Sequence, residues 1–227
     1  MSGFKKLFYL ACIFSVFSQM AHAGVIIGGT RVIFDANKKE TNISVRNPDG
    51  KPYLIQSWLE NATPATSGKP PFIITPPLFR LEAGQENVLR ILSSASSLPQ
   101  DRESLYWLNI KSIPSSDKDD NNRLLVAVKT RMKLLYRPIG FAENASSAYK
   151  SLHFTRNGNQ VVVINPTPYY LSFYRLAVGG KDLKQPGMVA PNSQISLPLP
   201  AGISGSNLIW QTIGDFGNIT KEMTAQL

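Results

Sequence analysis

Between residues 124 and 138 the chain reads Leu-Leu-Val-Ala-Val-Lys-Thr-Arg-Met-Lys-Leu-Leu-Tyr-Arg-Pro. The even positions Leu124, Val126, Val128, Thr130, Met132, Leu134 and Tyr136 repeat an almost unbroken apolar side at period two, which predicts one long, half-buried β-strand. The odd positions begin apolar at Leu125 and Ala127, turn basic at Lys129, Arg131 and Lys133, and end on Leu135 and Arg137. A strand of this length would extend about 45 Å, whereas strands in compact sandwiches run nearer roughly 17 to 20 Å. Surplus alternating apolar edge invites pairing with another chain, so a second sheet or a partner has to cover it.

The same period-two signal, broken by turn residues, recurs along the rest of the chain. It predicts strands over residues 25–34 (interrupted at Gly28 and Gly29), 41–47, 53–60, 72–75, 87–93 and 104–113 ahead of the long one. Asn47-Pro48-Asp49-Gly50 is a turn by composition, and residues 61–71 are a loop rich in Pro, Thr, Ser and Gly. About seven short strands in about 115 residues describe an immunoglobulin-like sandwich. A polar, small-residue linker spans 140–151, and strands resume at 152–155, 160–165, 169–178, 194–199, 207–213 and 219–226. The fold class is therefore all-β, with a first domain over 24–139 and a smaller all-β domain over 140–227. No helix and no internal repeat is visible.

Residues 1–23 have the three parts of a secretory signal: basic Lys5 and Lys6, an apolar run over 7–17, and the small-x-small site Ala21-His22-Ala23. The apolar run is too short to span a bilayer, so direct membrane insertion is not expected. Cleavage removes the only cysteine, Cys12, so the exported chain must fold on its cores without disulfides. A lone His153 cannot build a multi-histidine metal site, and no thiolate is left as ligand or nucleophile. The mature balance of 22 basic against 15 acidic residues favours anions. Without a dense basic run or interleaved aromatics, however, it points to a local anion site rather than to nucleic acid.

Two groups of charged residues could carry chemistry. Arg31 in the first strand and Lys133 on the long strand could meet at a cleft between the domains, where two adjacent cations would suit a carboxylate or phosphate. The plainer reading is two solvated surface charges. Asp101, Arg102, Glu103, Arg137 and Asp215 lie beside apolar segments at the domain junction. There the planar fork of Arg137 between carboxylates could fix the angle between the sandwiches. Alternatively this is an ordinary exposed network of little energy, or a glycosidase-like carboxylate pair, although no sugar-binding aromatic cluster surrounds it. The Asn-x-Ser/Thr triplets at Asn42, Asn61, Asn144 and Asn218 are frequent by chance, and the serines lack a convincing base partner.

Residues 98–114, Leu-Pro-Gln-Asp-Arg-Glu-Ser-Leu-Tyr-Trp-Leu-Asn-Ile-Lys-Ser-Ile-Pro, resemble the signature of the periplasmic pilus chaperones of the PapD and FimC type. Further blocks resemble the same family: 29–34, 53–58, 72–79, 132–138, 165–170 and 214–217, which together span the mature chain. The resemblance implies two immunoglobulin-like domains in an L-shaped arrangement, located in the periplasm. It implies no enzyme activity and no cofactor, and as partners pilus subunits and an outer-membrane usher. It also implies donor-strand complementation, in which the long strand completes the fold of a pilus subunit. Carried over by motif, the donor residues are Leu124, Val126 and Val128 with Met132 a further contact. The carboxylate anchors are Arg31 and Lys133, and the interdomain network is Glu103, Arg137 and Asp215. The short segment 115–122 and the missing cysteine pair resemble the short-loop branch of the family. Gly214 stands where the family often has Asn, and Leu125 replaces a commonly polar residue. A secreted immunoglobulin-like adhesion or binding module is the other function this sequence could serve.

Overall fold

The computed structural model describes residues 24–62, 68–94, 98–116, 124–203 and 205–227. The signal segment 1–23 and most of the short connection at 115–122 lie outside the described residues. Nine strands form the N-terminal half: β1 Ile26–Ile27, β2 Arg31–Asp35, β3 Glu40–Arg46, β4 Tyr53–Asn61, β5 Phe72–Thr75, β6 Leu78–Leu81, β7 Glu86–Ser93, β8 Ser104–Pro114 and β9 Val128–Arg137. They build one sheet in the order β1-β3-β7-β5 and a second in the order β2-β9-β8-β4-β6. Burial alternates along β2 and the end of β3, while β8 and β9 are buried over consecutive residues, and Val32, Phe34, Val45, Ile55, Leu89, Leu108 and Leu134 fill the space between the sheets.

The strand expected over 25–34 is two strands in different sheets: β1 pairs with β3, whereas β2 pairs in parallel with β9. Gly28 and Gly29 make the crossing. The Gly28 N–H donates to the Ser44 carbonyl at 2.9 Å, and the missing side chain leaves room for the Ser44 hydroxyl, which a Cβ on Gly28 would force to move. A second crossing gives β6, which the sequence pattern missed because the adjacent prolines Pro76 and Pro77 hide a strand of only 4 residues behind a turn signal.

The C-terminal half contains β10 His153–Asn157, β11 Gln160–Asn165, β12 Leu171–Val178, β13 Lys181–Asp182, β14 Met188–Val189, β15 Ser193–Pro198, β16 Asn207–Thr212 and β17 Met223–Gln226. The sheet β10-β11-β15 faces a second, β13-β12-β16-β17, with β14 added beside β12. Their core is separate from the first and centres on Val161, Val163, Leu176, Val178, Leu208 and Trp210. The stretch 140–151 is not a simple linker. Ala145–Ser151 forms a 3-10 helix that buries Ala148 and Tyr149, and Trp210 Nε1 donates to the Tyr149 carbonyl at 3.0 Å. Two turns of such a helix are too short to impose a readable period on the sequence.

The domains also share a local device that the sequence did not advertise as a repeat. Asn47, just after β3, and Asn165, the last residue of β11, are each fully buried and precede a proline. Asn47 Nδ2 donates to the Lys51 carbonyl at 2.8 Å while its Oδ1 accepts from the Asp49 N–H at 3.0 Å. Asn165 Nδ2 likewise donates to the Tyr169 carbonyl at 2.7 Å, and Oδ1 accepts from the Thr167 N–H at 3.0 Å. Each side chain is a buried peg that satisfies the backbone of the turn following it.

The 124–138 strand is shorter than expected. β9 starts at Val128, whose partner Ser112 makes the last pair with β8, and residues 124–127 carry no strand pairing among the described residues. The apolar parity nonetheless has two fates. Met132, Leu134 and Tyr136 are buried in the N-terminal core, whereas Leu124, Val126 and Val128 are exposed at 90, 60 and 54 %. Met132, 5 % exposed, is thus a core residue and not a side chain available for donation. Leu134→Ala should cost about 2 to 5 kcal/mol in chemical denaturation, as for a fully buried leucine. Val126→Ala, on the same face of the same segment, should stay within about 0.5 kcal/mol of wild type.

Candidate functional site

The parallel pairing of β2 with β9 sets Arg31 directly opposite Lys133. Neighbouring residues of paired strands share a face, so both side chains leave the sheet on the side opposite Leu134 and reach toward the C-terminal domain. Lys133 Nζ donates to Ser172 Oγ at 2.5 Å, and Arg31 Nη1 donates to the Ile213 carbonyl at 3.1 Å. Those acceptor residues are themselves joined, since the Ile213 N–H donates to the Ser172 carbonyl at 2.9 Å. The two cations therefore stand side by side on neighbouring strands, each bonded to a residue of the C-terminal half.

Among the described residues neither cation has a carboxylate in contact. Burial, followed by the charge of Arg31, pulls the Lys133 ammonium down to about 8. Burial also lowers Arg31, despite the opposing influence of Asp215 and Glu103. Arg31 Nε is buried and has no hydrogen-bond partner. A buried donor left unpaired is costly, and an oxygen anion placed between Arg31 and Lys133 would give it an acceptor and favour the charged form of both side chains.

Arg137 lies four residues along β9 from Lys133, on the same face. Its Nε donates to Glu103 Oε1 at 2.8 Å, and Nη1 and Nη2 donate to Asp215 Oδ2 and Oδ1 at 2.7 and 2.9 Å. Burial alone would lower the guanidinium, but the two carboxylates outweigh it and push Arg137 upward. Burial is also the largest influence on Glu103 and raises it, against the pull of Arg137 and of the Tyr170 N–H, which donates to Oε2 at 2.8 Å. The Glu103 N–H in turn donates to the Pro168 carbonyl at 2.9 Å. Leu105 and Leu135, opposite each other on β8 and β9, are buried yet belong to neither domain core. By parity they lie on the same interdomain face. Asp101 and Arg102 stand apart as an exposed pair at 3.7 Å. Glu103 is thus occupied with Arg137 and the 168–170 backbone rather than with Asp215, which is not the arrangement of a carboxylate pair facing a substrate.

The remaining basic residues of β9 serve the outer face of the sheet. The Arg131 guanidinium covers the Trp107 ring at 4.3 Å and Lys129 Nζ covers Trp58 at 4.9 Å, with Glu60 between them at 3.5 and 3.6 Å. Sequence reasoning missed this ladder. Its signal was the alternation of Trp58 with Glu60 and of Lys129 with Arg131 on strands that share one neighbour, β8.

On its other edge β9 is open. β2 covers only Lys133 to Arg137, so, among the described residues, 128–132 have a strand neighbour on one side only, and 124–127 have none. Below this edge the two sheets part around a groove of about 360 Å³ lined by Val25, Ile27, Tyr53, Ile110, Val126 and Val128. The site therefore has two parts in one line: an unpaired, apolar strand edge, and a pair of cations at the point where β2 takes the edge over. Among the described residues no cluster of His, Cys, Asp and Glu could hold a metal ion.

Comparison with known proteins gives the family. Residues 24–142 match the family described as "Pili and flagellar-assembly chaperone, PapD N-terminal domain", and residues 147–224 match "Pili assembly chaperone PapD, C-terminal domain". The chain is 43 % identical to the probable fimbrial chaperone LpfB of Escherichia coli O157:H7 over 99 % of its own length and 98 % of that protein. It is 45 % identical to the chaperone protein FimC of Escherichia coli K12, covering 90 % of this chain and 85 % of FimC. Among solved structures it is similar to a chain in the complex of the Salmonella enterica SafA pilin with the SafB chaperone. The TM-score is 0.82 and the identity 34 %, with 90 % of this chain and 96 % of that one covered. The periplasmic chaperone SfaE superimposes with a TM-score of 0.75 at 39 % identity, covering 90 % of this chain and all of that one.

Two outcomes follow from the electrostatics. Arg137→Ala should lose about 3 to 5 kcal/mol of stability, because it strands a buried Glu103, and Glu103→Gln in the same background should recover most of it. Lys133 titrates near 8 when folded against an ordinary 10.5, so the unfolded chain holds more protons between those values. Stability should rise with pH through that window, and Lys133→Met should flatten the rise in denaturation curves taken across it.

Proposed function

The chain belongs to the PapD family of pilus-assembly chaperones, and from that premise we propose how its cleft and open strand edge capture a pilus subunit. It is a chaperone of pilus subunits. In our reading the subunit's last strand adds to the free edge of β9 beside residues 124–132 and ends with its terminal carboxylate between Arg31 and Lys133. The observation that carries this is a pair of adjacent cations, with no carboxylate in contact among the described residues, placed where the open edge stops.

Charge decides the orientation of the added strand. A strand lying along β9 below Arg31 continues the line of β2, which runs parallel to β9. If it ran antiparallel it would bring a terminal ammonium, or no charge, to two cations. Running parallel, it brings a carboxylate. The subunit strand and β2 then form one composite strand along β9, with the ion cluster at the joint. Hydrogen bonds of the parallel ladder set the register, and Leu124, Val126 and Val128 project into the subunit. Burying these three side chains contributes on the order of 5 to 9 kcal/mol gross, offset in part by the ordering of 124–127. No nucleotide is needed, because the driving force lies in a subunit interior left incomplete without a donor.

We take Glu103, Arg137 and Asp215 as the hinge that holds Ser172 and Ile213 against the two anchors. Domain limits at 24–139 and 140–227, action in the periplasm after removal of residues 1–23, delivery to an outer-membrane usher, and the short-loop branch complete the reading. It is supported by the family and by the absence, among the described residues, of a helix long and apolar enough to cross a membrane. The adhesion-module reading has no support among the relatives named above, which are chaperones.

Lys133→Ala should weaken subunit binding by about 2 to 5 kcal/mol in calorimetry, the cost of removing one partner of a desolvated charge pair; unchanged affinity would refute the anchor. Val126→Asp should abolish capture while the free chain stays folded, and normal capture would rule out this register. Capture should also depend on pH. Free Lys133 loses its proton near 8 and a bound carboxylate retains it, so affinity should be constant below about pH 7, fall above about 8, and be accompanied by proton uptake.

A further inference from the structure

We propose that Phe216 is a specificity contact for the last residues of the captured subunit, an apolar wall that the C-terminal domain adds to the carboxylate anchor. This rests on the capture reading above. Phe216 is 97 % exposed, the highest value for any large apolar side chain among the described residues. Its backbone, however, is not that of a free loop. An antiparallel bridge joins Ile213 to Ile219, the Gly214 N–H donates to the Asn218 carbonyl at 2.8 Å, and the Gly217 N–H donates to the Gly214 carbonyl at 3.0 Å. The turn is fastened from outside as well. Asp215 grips Arg137 with both oxygens, and the Ile213 carbonyl accepts from Arg31. Gly217, at φ +80°, lies so close to Thr30 that a Cβ there would be 2.7 Å from Thr30 Oγ1.

These contacts place Phe216 between a residue of the hinge network and a residue packed against the start of β2. A fixed backbone that presents a fully exposed aromatic ring holds it there for something outside the chain. The occupant follows from the line of the added strand. A subunit strand that ends at Arg31 and Lys133 stops next to Thr30, on the edge that β2 occupies from Arg31 onward. Side chains alternate along it, so one of its last two residues lies on the face that carries Arg31 and Lys133. That face is turned to the C-terminal domain, where Phe216 stands. The chemistry fitted to the ring is an apolar or aromatic side chain, placed beside a carboxylate that the two cations neutralise.

The test uses a short fluorescein-labelled peptide of alternating valine and threonine that ends in a free carboxylate, with leucine or alanine in turn at each of the last two positions. Anisotropy is read for the wild-type chain, Phe216→Ala and Phe216→Leu. Wild type should prefer leucine over alanine by about fivefold at one of the two positions, as expected for burying part of an apolar side chain. Phe216→Ala should lose that preference and Phe216→Leu should keep most of it. Amidating the peptide should weaken binding to all three chains, which tests the anchor separately. Equal preference in wild type and Phe216→Ala, or none in either while amidation still weakens binding, would overturn the contact. If amidation had no effect, the anchor and the contact would fall together.

Discussion

The arrangement of the cleft depends on Arg137. Its guanidinium is held on one side by Glu103 of its own domain and on the other by both oxygens of Asp215 in the C-terminal domain. Glu103 is in turn bonded to the 168–170 turn through its backbone and its side chain. A planar fork that takes a different carboxylate on each edge fixes an orientation as well as a distance. The domains have separate hydrophobic cores, so this network and the small apolar contact around Leu105 and Leu135 set how they meet. Every bond that positions the anchors crosses the same junction, including Lys133 to Ser172 and Arg31 to Ile213.

With that junction fixed, the chain can maintain a site that is unfavourable when empty. Two cations are kept side by side, one with an unpaired buried Nε, next to a strand edge whose apolar residues face solvent. Each feature would be selected against in a protein with no partner, because unpaired charge costs stability and an open apolar edge invites aggregation. Together they form a surface whose two parts are satisfied by one ligand, a strand that ends in a carboxylate. The charges select the direction and end point of the incoming strand. The apolar side chains supply most of the free energy. Residues 124–127, which have no partner strand, mark how far β9 is built beyond the needs of its own sheet.

Much of this was readable in the sequence because a period-two pattern survives folding. Most strands of both halves lie where alternation placed them, and Arg31, Lys133, Glu103, Arg137 and Asp215 lie on the segments that join the two halves. What could not be read has physical causes. Parity alone says which face a residue occupies, but not whether that face is covered by the chain's own second sheet. Met132 and Val126 are therefore indistinguishable by pattern, although one is core and the other exposed. The split of the first strand depends on a close approach at Gly28, which is a property of the partner strand. The 3-10 helix and the β6 strand are too short to carry a period. Phe216 lies in a block, 214–217, that resembles the family, but an isolated aromatic between Asp215 and Gly217 has no period that would tell its exposure.

The central claim is that the open edge of β9 receives the subunit's last strand, and amide hydrogen exchange across residues 124–137 tests it most directly. In the free chain the N–H groups of 124–127, and those of 128–132 that point away from β8, should exchange rapidly, while those paired to β2 from Lys133 onward are protected. On capture of a subunit, protection should extend continuously from the β2 boundary back to about Leu124. If the subunit bound with full affinity and left exchange over 124–132 unchanged, strand addition at this edge would be contradicted, and the contact would have to lie elsewhere on the chain.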